Sequence, residues 1–310
     1  MSKEHTQLTK IDFAEIFGAN VDELPVECID IINKSNFNYR VASFEEREDL
    51  LLRANKVLFD DLKVSGLNRK NDWADGWQEN LDNFVNKGFN QDDLIPKFVR
   101  EKEWIRLNGN YIFPEDKFFE TSFVKVLRIY IYKKYFSGFK QIFEFGCGTG
   151  LNLVAMAGLF PQKKLYGLDW VESSCNIVNS LARTSNINMK GIIFDMFNPD
   201  NSLKIGSADA IFTTGAMEQL GVNFKSFLDY LIKKRVGVCV HFETMYELYD
   251  QNDIFDLLAA KYIDKRGYLK GFLKQLKRYE KEKKVNIIEV RKTFGSFYHD
   301  GYSVIVWKPT

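Results

Sequence analysis

The sequence predicts an α/β chain: a doubly wound, mostly parallel sheet with a mostly helical N-terminal extension ahead of it. Two observations lead there. From about residue 118 onward, short runs rich in Val, Ile, Phe and Tyr alternate with segments of helical period, as repeated βαβ units do. The first of those runs ends in a cluster of glycines where a helix begins, in the stretch FEFGCGTGLNL that starts at Phe143.

Residues 1–110 are expected to form the helical cap and residues 111–310 the sheet domain. Within the cap, apolar residues recur at helical spacing over 43–62, and Ser43 with Glu46 makes a capping box ahead of that run. Shorter helices are expected over 11–17, 24–33 and 77–86, with the WADGW cluster from Trp73 to Trp77 in a turn between two of them. Trp73, Trp77 and Trp104 either stack on a flat ligand or pack in the core of the cap. Gly, Asn and Pro in the stretch NGNYIFP, from Asn108 to Pro114, mark the boundary, and 116–135 reads as the helix that precedes the first strand.

Strands follow over 141–145, 164–168, 190–194, 208–212 and 236–242, with a helix over 172–185. Two last strand-like runs, 286–292 and 302–308, are joined by the loop 293–301 as a hairpin, which brings the count to seven. In such a sheet the ligand belongs at the carboxyl ends of the strands. There the order Glu144-x-Gly146-x-Gly148-x-Gly150 builds a turn without Cβ atoms, so that backbone can approach a nucleotide-like cofactor closely. A dinucleotide fingerprint would need glycine at 151, where Leu151 stands, and a phosphate loop would need a Gly-Lys-Ser/Thr ending that is absent.

This spacing resembles motif I of the class I S-adenosylmethionine-dependent methyltransferases, and the resemblance covers about 118–310. It implies S-adenosyl-L-methionine held by Glu144, Gly146, Cys147, Gly148 and Gly150. Asp169, with Trp170 beside it, would accept from the ribose hydroxyls, and Asp195 from the adenine amino group, with Met196 along the ring. Thr214, in the small polar turn Thr213, Thr214, Gly215, would lie at the methionine end, and Glu120 on the helix before the first strand would border the methionine tail. The resemblance further implies that the last strand enters antiparallel beside the fifth. Each acid alone also reads as a cap or turn residue.

Composition narrows the partners. With 45% hydrophobic and 27% charged residues and a formal net charge of +1, the chain has no global field to draw nucleic acid or an anionic membrane. A small-molecule acceptor is expected, with no nucleic acid and no membrane partner; a homodimer formed through the cap is the other use for that segment. No apolar run reaches the length of a membrane span, and the start MSKEHTQLTK lacks a secretion signal, so a cytoplasmic location is expected. Cys28, Cys147, Cys175 and Cys239 are scattered without metal-ligand spacing, which predicts reduced thiols and no metal. The charge run 274–284 reads as a solvated helix face.

Methyl transfer to a hydroxyl needs the nucleophile held in line and a base for its proton. His241, at the end of the fifth strand in VHFETMYELY, is the first choice for that base, with Glu243 on the same face of the strand. A satisfied histidine at a strand terminus is the equal alternative. Glu218, in GAMEQL after the fourth strand, either orients the acceptor or caps the next helix, and His299 in the hairpin loop ranks third because loop tips usually project into solvent. Arg266 and Tyr268 either wall the acceptor pocket or belong to a peripheral helix pair. The aromatic Pro-Pro motif of base-methylating enzymes is replaced by TTGAME, which disfavours nucleic-acid bases. The expected activity is O-methylation of a sugar or other hydroxylated metabolite. N-methylation of a small amine, a binding protein without catalysis, and aminopropyl transfer are the alternatives.

Overall fold

The computed structural model describes residues 5–95 and 103–310; residues 1–4, part of the start read for a leader, lie outside them. The chain opens with β1 (His5–Gln7), α1 (Lys10–Phe17), α2 (Val26–Lys34), β2 (Asn38–Val41), α3 (Phe44–Lys56) and α4 (Lys70–Asn86), then β3 (Ile105–Leu107) and β4 (Asn110–Pro114). The capping box on α3 forms as expected: Ser43 Oγ accepts from the Glu46 amide at 3.2 Å, and the Glu46 carboxylate accepts from the Ser43 amide at 2.9 Å. α3 ends at Lys56, short of 62, and passes into a single 3-10 turn, Val57–Phe59.

WADGW is a correction. Trp73 and Trp77 lie inside α4, one turn apart on one face, because the single Gly76 costs a helix only about 1 kcal/mol and packing outweighs it.

The remainder runs α5 (Phe119–Phe136), β5 (Gln141–Phe145), α6 (Leu151–Leu159), β6 (Lys164–Asp169), α7 (Glu172–Thr184), β7 (Met189–Ile193), β8 (Asp209–Thr214), α8 (Lys225–Lys234) and β9 (Val238–Glu243). It ends with α9 (Ile254–Arg266), α10 (Phe272–Lys281), β10 (Val285–Arg291), β11 (Phe294–Gly295) and β12 (Ser303–Pro309). Seven strands form the main sheet in the order β10-β12-β9-β8-β5-β6-β7. The five from β9 to β7 are parallel, and β12 enters antiparallel between β9 and β10, as expected.

Both faces of this sheet are covered, so its strands alternate between two cores. Ile142, Phe212, Val240 and Val306 pack with α5, α6 and α7, whereas Phe143, Phe145, Ile211, Cys239 and Trp307 pack with α8 and α10. The chain leaves β5 for β6 on one side and later returns to β8 on the other. The crevice of a doubly wound sheet opens at the carboxyl ends of such strands.

The extension carries strands that its pattern did not announce. β1, β2, β4, β3 and β11 form a second, antiparallel sheet, and strands of two to five residues are too short for a period-two pattern to register. Its last strand comes from the hairpin loop, so that loop folds inward onto β3 rather than into solvent. Arg106 locks this join. It is 1% exposed, donates to Asp300 at 3.0 Å, to Asp256 at 2.9 Å and to the Phe255 carbonyl at 3.1 Å, and lies 3.4 Å from the centre of the Phe255 ring. All four cysteines are buried and unpaired, and among the described residues no helix is long and apolar enough to cross a membrane.

Arg106→Ala leaves the buried Asp300 carboxylate without its cation and Asp256 with Lys292 alone, 2.8 Å away. Its unfolding free energy in denaturant titration is expected to fall by about 3–5 kcal/mol.

Candidate functional site

Three left-handed glycines shape the turn after β5. Gly146, Gly148 and Gly150 have φ of 72°, 50° and 73°, and a Cβ at Gly146 would lie 2.3 Å from that of Ala216. Asp169, at the end of β6, holds this turn: its Oδ2 accepts from the Gly148 amide at 3.0 Å and its Oδ1 from the Val171 amide at 3.3 Å. Burial raises its pKa against the pull of those hydrogen bonds. Each carboxylate oxygen keeps a further lone-pair site for a ligand.

Glu144 is fully buried on the α5 side of β5. Its Oε1 accepts from Asn152 at 2.6 Å, while Oε2 has no partner among the described residues. Burial pushes its pKa up to about 8, against hydrogen bonding by Asn152 and the nearby charge of Arg128. Arg128, half-buried on α5, makes no hydrogen bond or ion pair among the described residues, and sequence reasoning missed it. The available signal was one arginine inside an otherwise apolar stretch, VLRIYIY. Burial lifts Glu120, on the same helix, to about 7.

Beyond Asp169, the Trp170 ring stacks on Phe197 with centroids 5.6 Å apart. Asp195 closes the turn after β7, accepting from the Phe197 amide at 2.8 Å and from the Asn198 side chain at 3.1 Å. Met196 reaches toward Gly146, its Cε 3.7 Å from where a Cβ would stand there. The Thr214 hydroxyl is buried without a partner among the described residues. Cys147 is a buried loop residue with its thiol pKa well above the ordinary value, chiefly through burial, so it is no thiolate nucleophile. The adenine and ribose candidates thus share the ends of β5, β6 and β7.

α4 lies over this turn. Ser173 donates to the Ala74 carbonyl at 3.1 Å, Trp73 and Trp77 stack at 5.6 Å, and Trp77 Cζ2 sits 3.1 Å from the position a Cβ would take on Gly148.

The expectation of a base at His241 is corrected. His241 is fully buried on the α8 and α10 side of the sheet, edge-on to Phe272. Trp307 Nε1–H donates to its Nε2 at 2.9 Å. An indole N–H only donates, so in the neutral ring the proton sits on Nδ1 and is given to Thr213 Oγ1, also at 2.9 Å. Burial depresses the pKa to about 3. Neither nitrogen is free for a substrate proton. The Thr213 hydroxyl keeps its own proton and lowers the proton affinity of nearby Glu243.

Glu243 is fully buried on that same strand face, and its Oε1 accepts from the Ala216 and Met217 amides at 3.0 and 3.1 Å. Its Oε2 has no partner among the described residues. Burial raises its pKa to about 7 against those hydrogen bonds. Glu218, half-buried yet surrounded by protein, is lifted to about 8 by burial, with Glu243 adding and Arg266 opposing. His299, between Tyr262 and Tyr268, is depressed to about 3 by burial and by Arg106 and Arg266.

No protein-family model and no curated protein matches the chain. Among solved structures it is similar to the plantazolicin methyltransferase BpumL in complex with SAH, at 13% identity and a TM-score of 0.43, over 86% of this chain and 98% of that one. It is also similar to a SAM-dependent methyltransferase from Aquifex aeolicus, at 14% identity and 0.41, over 59% of this chain and 88% of that one. A third is the branched-chain polyamine synthase from Thermus thermophilus, at 11% identity and 0.42, over 61% of this chain and only 56% of that one.

The His241 imidazole is expected to stay neutral, as the Nδ1–H tautomer, from about pH 8 down to about pH 5 in nitrogen-detected NMR. A midpoint near the ordinary value of about 6.5 would contradict the buried network.

Proposed function

We propose that the protein is an S-adenosylmethionine-dependent methyltransferase acting on a hydroxyl of a small acceptor, a sugar or other hydroxylated metabolite. The observation that carries this reading is the left-handed glycine turn pinned to Asp169 at the switch point of the sheet. The surrounding residues suit the cofactor's parts. Asp169 retains acceptor capacity for ribose hydroxyls, Trp170, Met196 and Phe197 offer apolar faces for adenine, and Asp195 stands beside them. The guanidinium of Arg128 suits the amino-acid carboxylate, and the Glu144 oxygen and Thr214 hydroxyl that have no partner among the described residues suit its polar neighbours. Trp77 rests on Gly148, so a ligand seated on that turn displaces its indole.

When bound, the cofactor supplies a methyl on sulfonium sulfur, which passes to the acceptor oxygen as the carbon–sulfur bond breaks and its electron pair returns to sulfur. The protein's task is to hold the acceptor in line and to take the hydroxyl proton. Glu218 is the base in this reading: it lies after β8 beside Glu243, and in its ionised form it accepts the proton and becomes a neutral acid. Glu243, anchored by two backbone amides beside the His241–Thr213 pair, shapes the loop that carries Glu218. His241 is therefore a positioning residue.

Calorimetry on the full chain is expected to show binding of S-adenosylmethionine and S-adenosylhomocysteine but not of NAD, with Asp169→Ala weaker by about tenfold or more. Binding of NAD alone would overturn the reading. Glu218→Gln is expected to keep S-adenosylhomocysteine affinity and lose about 10²- to 10⁴-fold in turnover. A carboxyl held at about 8 is a base only once deprotonated, so wild-type turnover should rise with pH through that region, and the rise should vanish in Glu218→Gln.

A further inference from the structure

Arg266 is the last residue of α9, and its backbone is clamped in place. Its carbonyl accepts from the Ser65 amide at 2.8 Å, and the next residue, Gly267, has φ of 63°. A Cβ on Gly221 would come within 2.6 Å of the Gly267 carbonyl. This close packing of 65, 221 and 267 sets Arg266 beside the loop that carries Glu218. The guanidinium lies 4.8 Å from the Tyr268 ring and 5.9 Å from Tyr262, whose hydroxyl accepts from Nη1 at 3.1 Å. Among the described residues Arg266 has no ion-pair partner, and its Nε is buried without an acceptor.

Arg69, just before α4, follows Ser65, whose amide and hydroxyl bond to the Arg266 and Gly267 carbonyls, and its charge is among those that oppose the raised proton affinity of Glu218 and Tyr268. Its Nε donates to Asp72 at 2.6 Å, but among the described residues Nη1 is buried without an acceptor, as is the indole N–H of Trp73 beneath it. A buried donor left unpaired costs about 1–3 kcal/mol, and Arg266 Nε and Arg69 Nη1 are two such donors on side chains whose charges act on Glu218. Glu218 is no permanent counter-ion to the arginines, because a base that has taken a proton is neutral.

We propose that Arg266 and Arg69 form an oxyanion subsite of the acceptor site, so that the acceptor carries a carboxylate or a phosphate beside the hydroxyl that is methylated. The planar guanidinium matches either anion with paired N–H donors, and the tyrosines keep Arg266 preorganised. This inference rests on the proposed methyl transfer and names its acceptor class.

The test is calorimetry on the full chain saturated with S-adenosylhomocysteine, titrated with D-glucuronate, D-glucose 6-phosphate and D-glucose. At least one anion should bind about tenfold or more tighter than glucose, and which one does so tells carboxylate from phosphate. Arg266→Met should reduce that anion to the level of glucose while leaving S-adenosylhomocysteine affinity intact, which shows that the variant is folded; Arg69→Met should do the same more weakly. Equal binding of all three sugars, binding of none, or an anion preference that survives Arg266→Met overturns the subsite. Failure of S-adenosylhomocysteine to bind overturns the cofactor reading instead, and the same titrations on the chain alone then decide the subsite.

Discussion

One carboxylate ties the two turns on which the site stands. Asp169 accepts from Gly148 after β5 and from Val171 after β6, while the Leu168 carbonyl accepts from Gly146 and Cys147 at 2.7 and 3.1 Å. Without that acceptor, backbone amides of a left-handed turn would lie buried and unpaired. With it, the turn presents backbone rather than side chains at the switch point of the sheet. The acid at the end of β6 is thus a structural brace as well as a ligand candidate, and the two roles use different lone pairs.

Around the ends of β5, β8 and β9 the chemistry is set by burial. Glu144, Glu218 and Glu243 all sit in surroundings that lift their proton affinity toward neutrality. A carboxyl group so lifted can both take and release a proton near pH 7, whereas the buried His241, depressed far below its ordinary value, cannot. The strand end therefore divides its labour. Trp307, His241 and Thr213 form a neutral hydrogen-bonded chain, and Glu243 holds the amides of the loop where Glu218 stands.

Much of this was legible in the sequence where periodicity was strong. The seven strands, the glycine turn, the acids after β6 and β7 and the Ser43 capping box stand close to where their patterns put them. The second sheet was not legible, since its strands are short and its last strand comes from a hairpin loop nearly two hundred residues on, in register with Leu107 and Arg106. His241 shows a different blindness. β9 is buried on both faces, so alternation puts His241 and Glu243 on one side without saying that only the strand's tip reaches the crevice. Arg128 escaped notice because an arginine on a helix ordinarily reads as a solvated face, and only tertiary packing shows it without a hydrogen bond or ion pair among the described residues.

The central claim is that the turn braced by Asp169 receives an adenosyl ligand beneath α4. The most direct measurement is a crystal structure of the full chain grown with S-adenosylhomocysteine. Ribose oxygens within hydrogen-bond distance of Asp169, and a Trp77 indole moved off Gly148, are the predicted result. Ligand density elsewhere, with Trp77 still resting on Gly148, would contradict it.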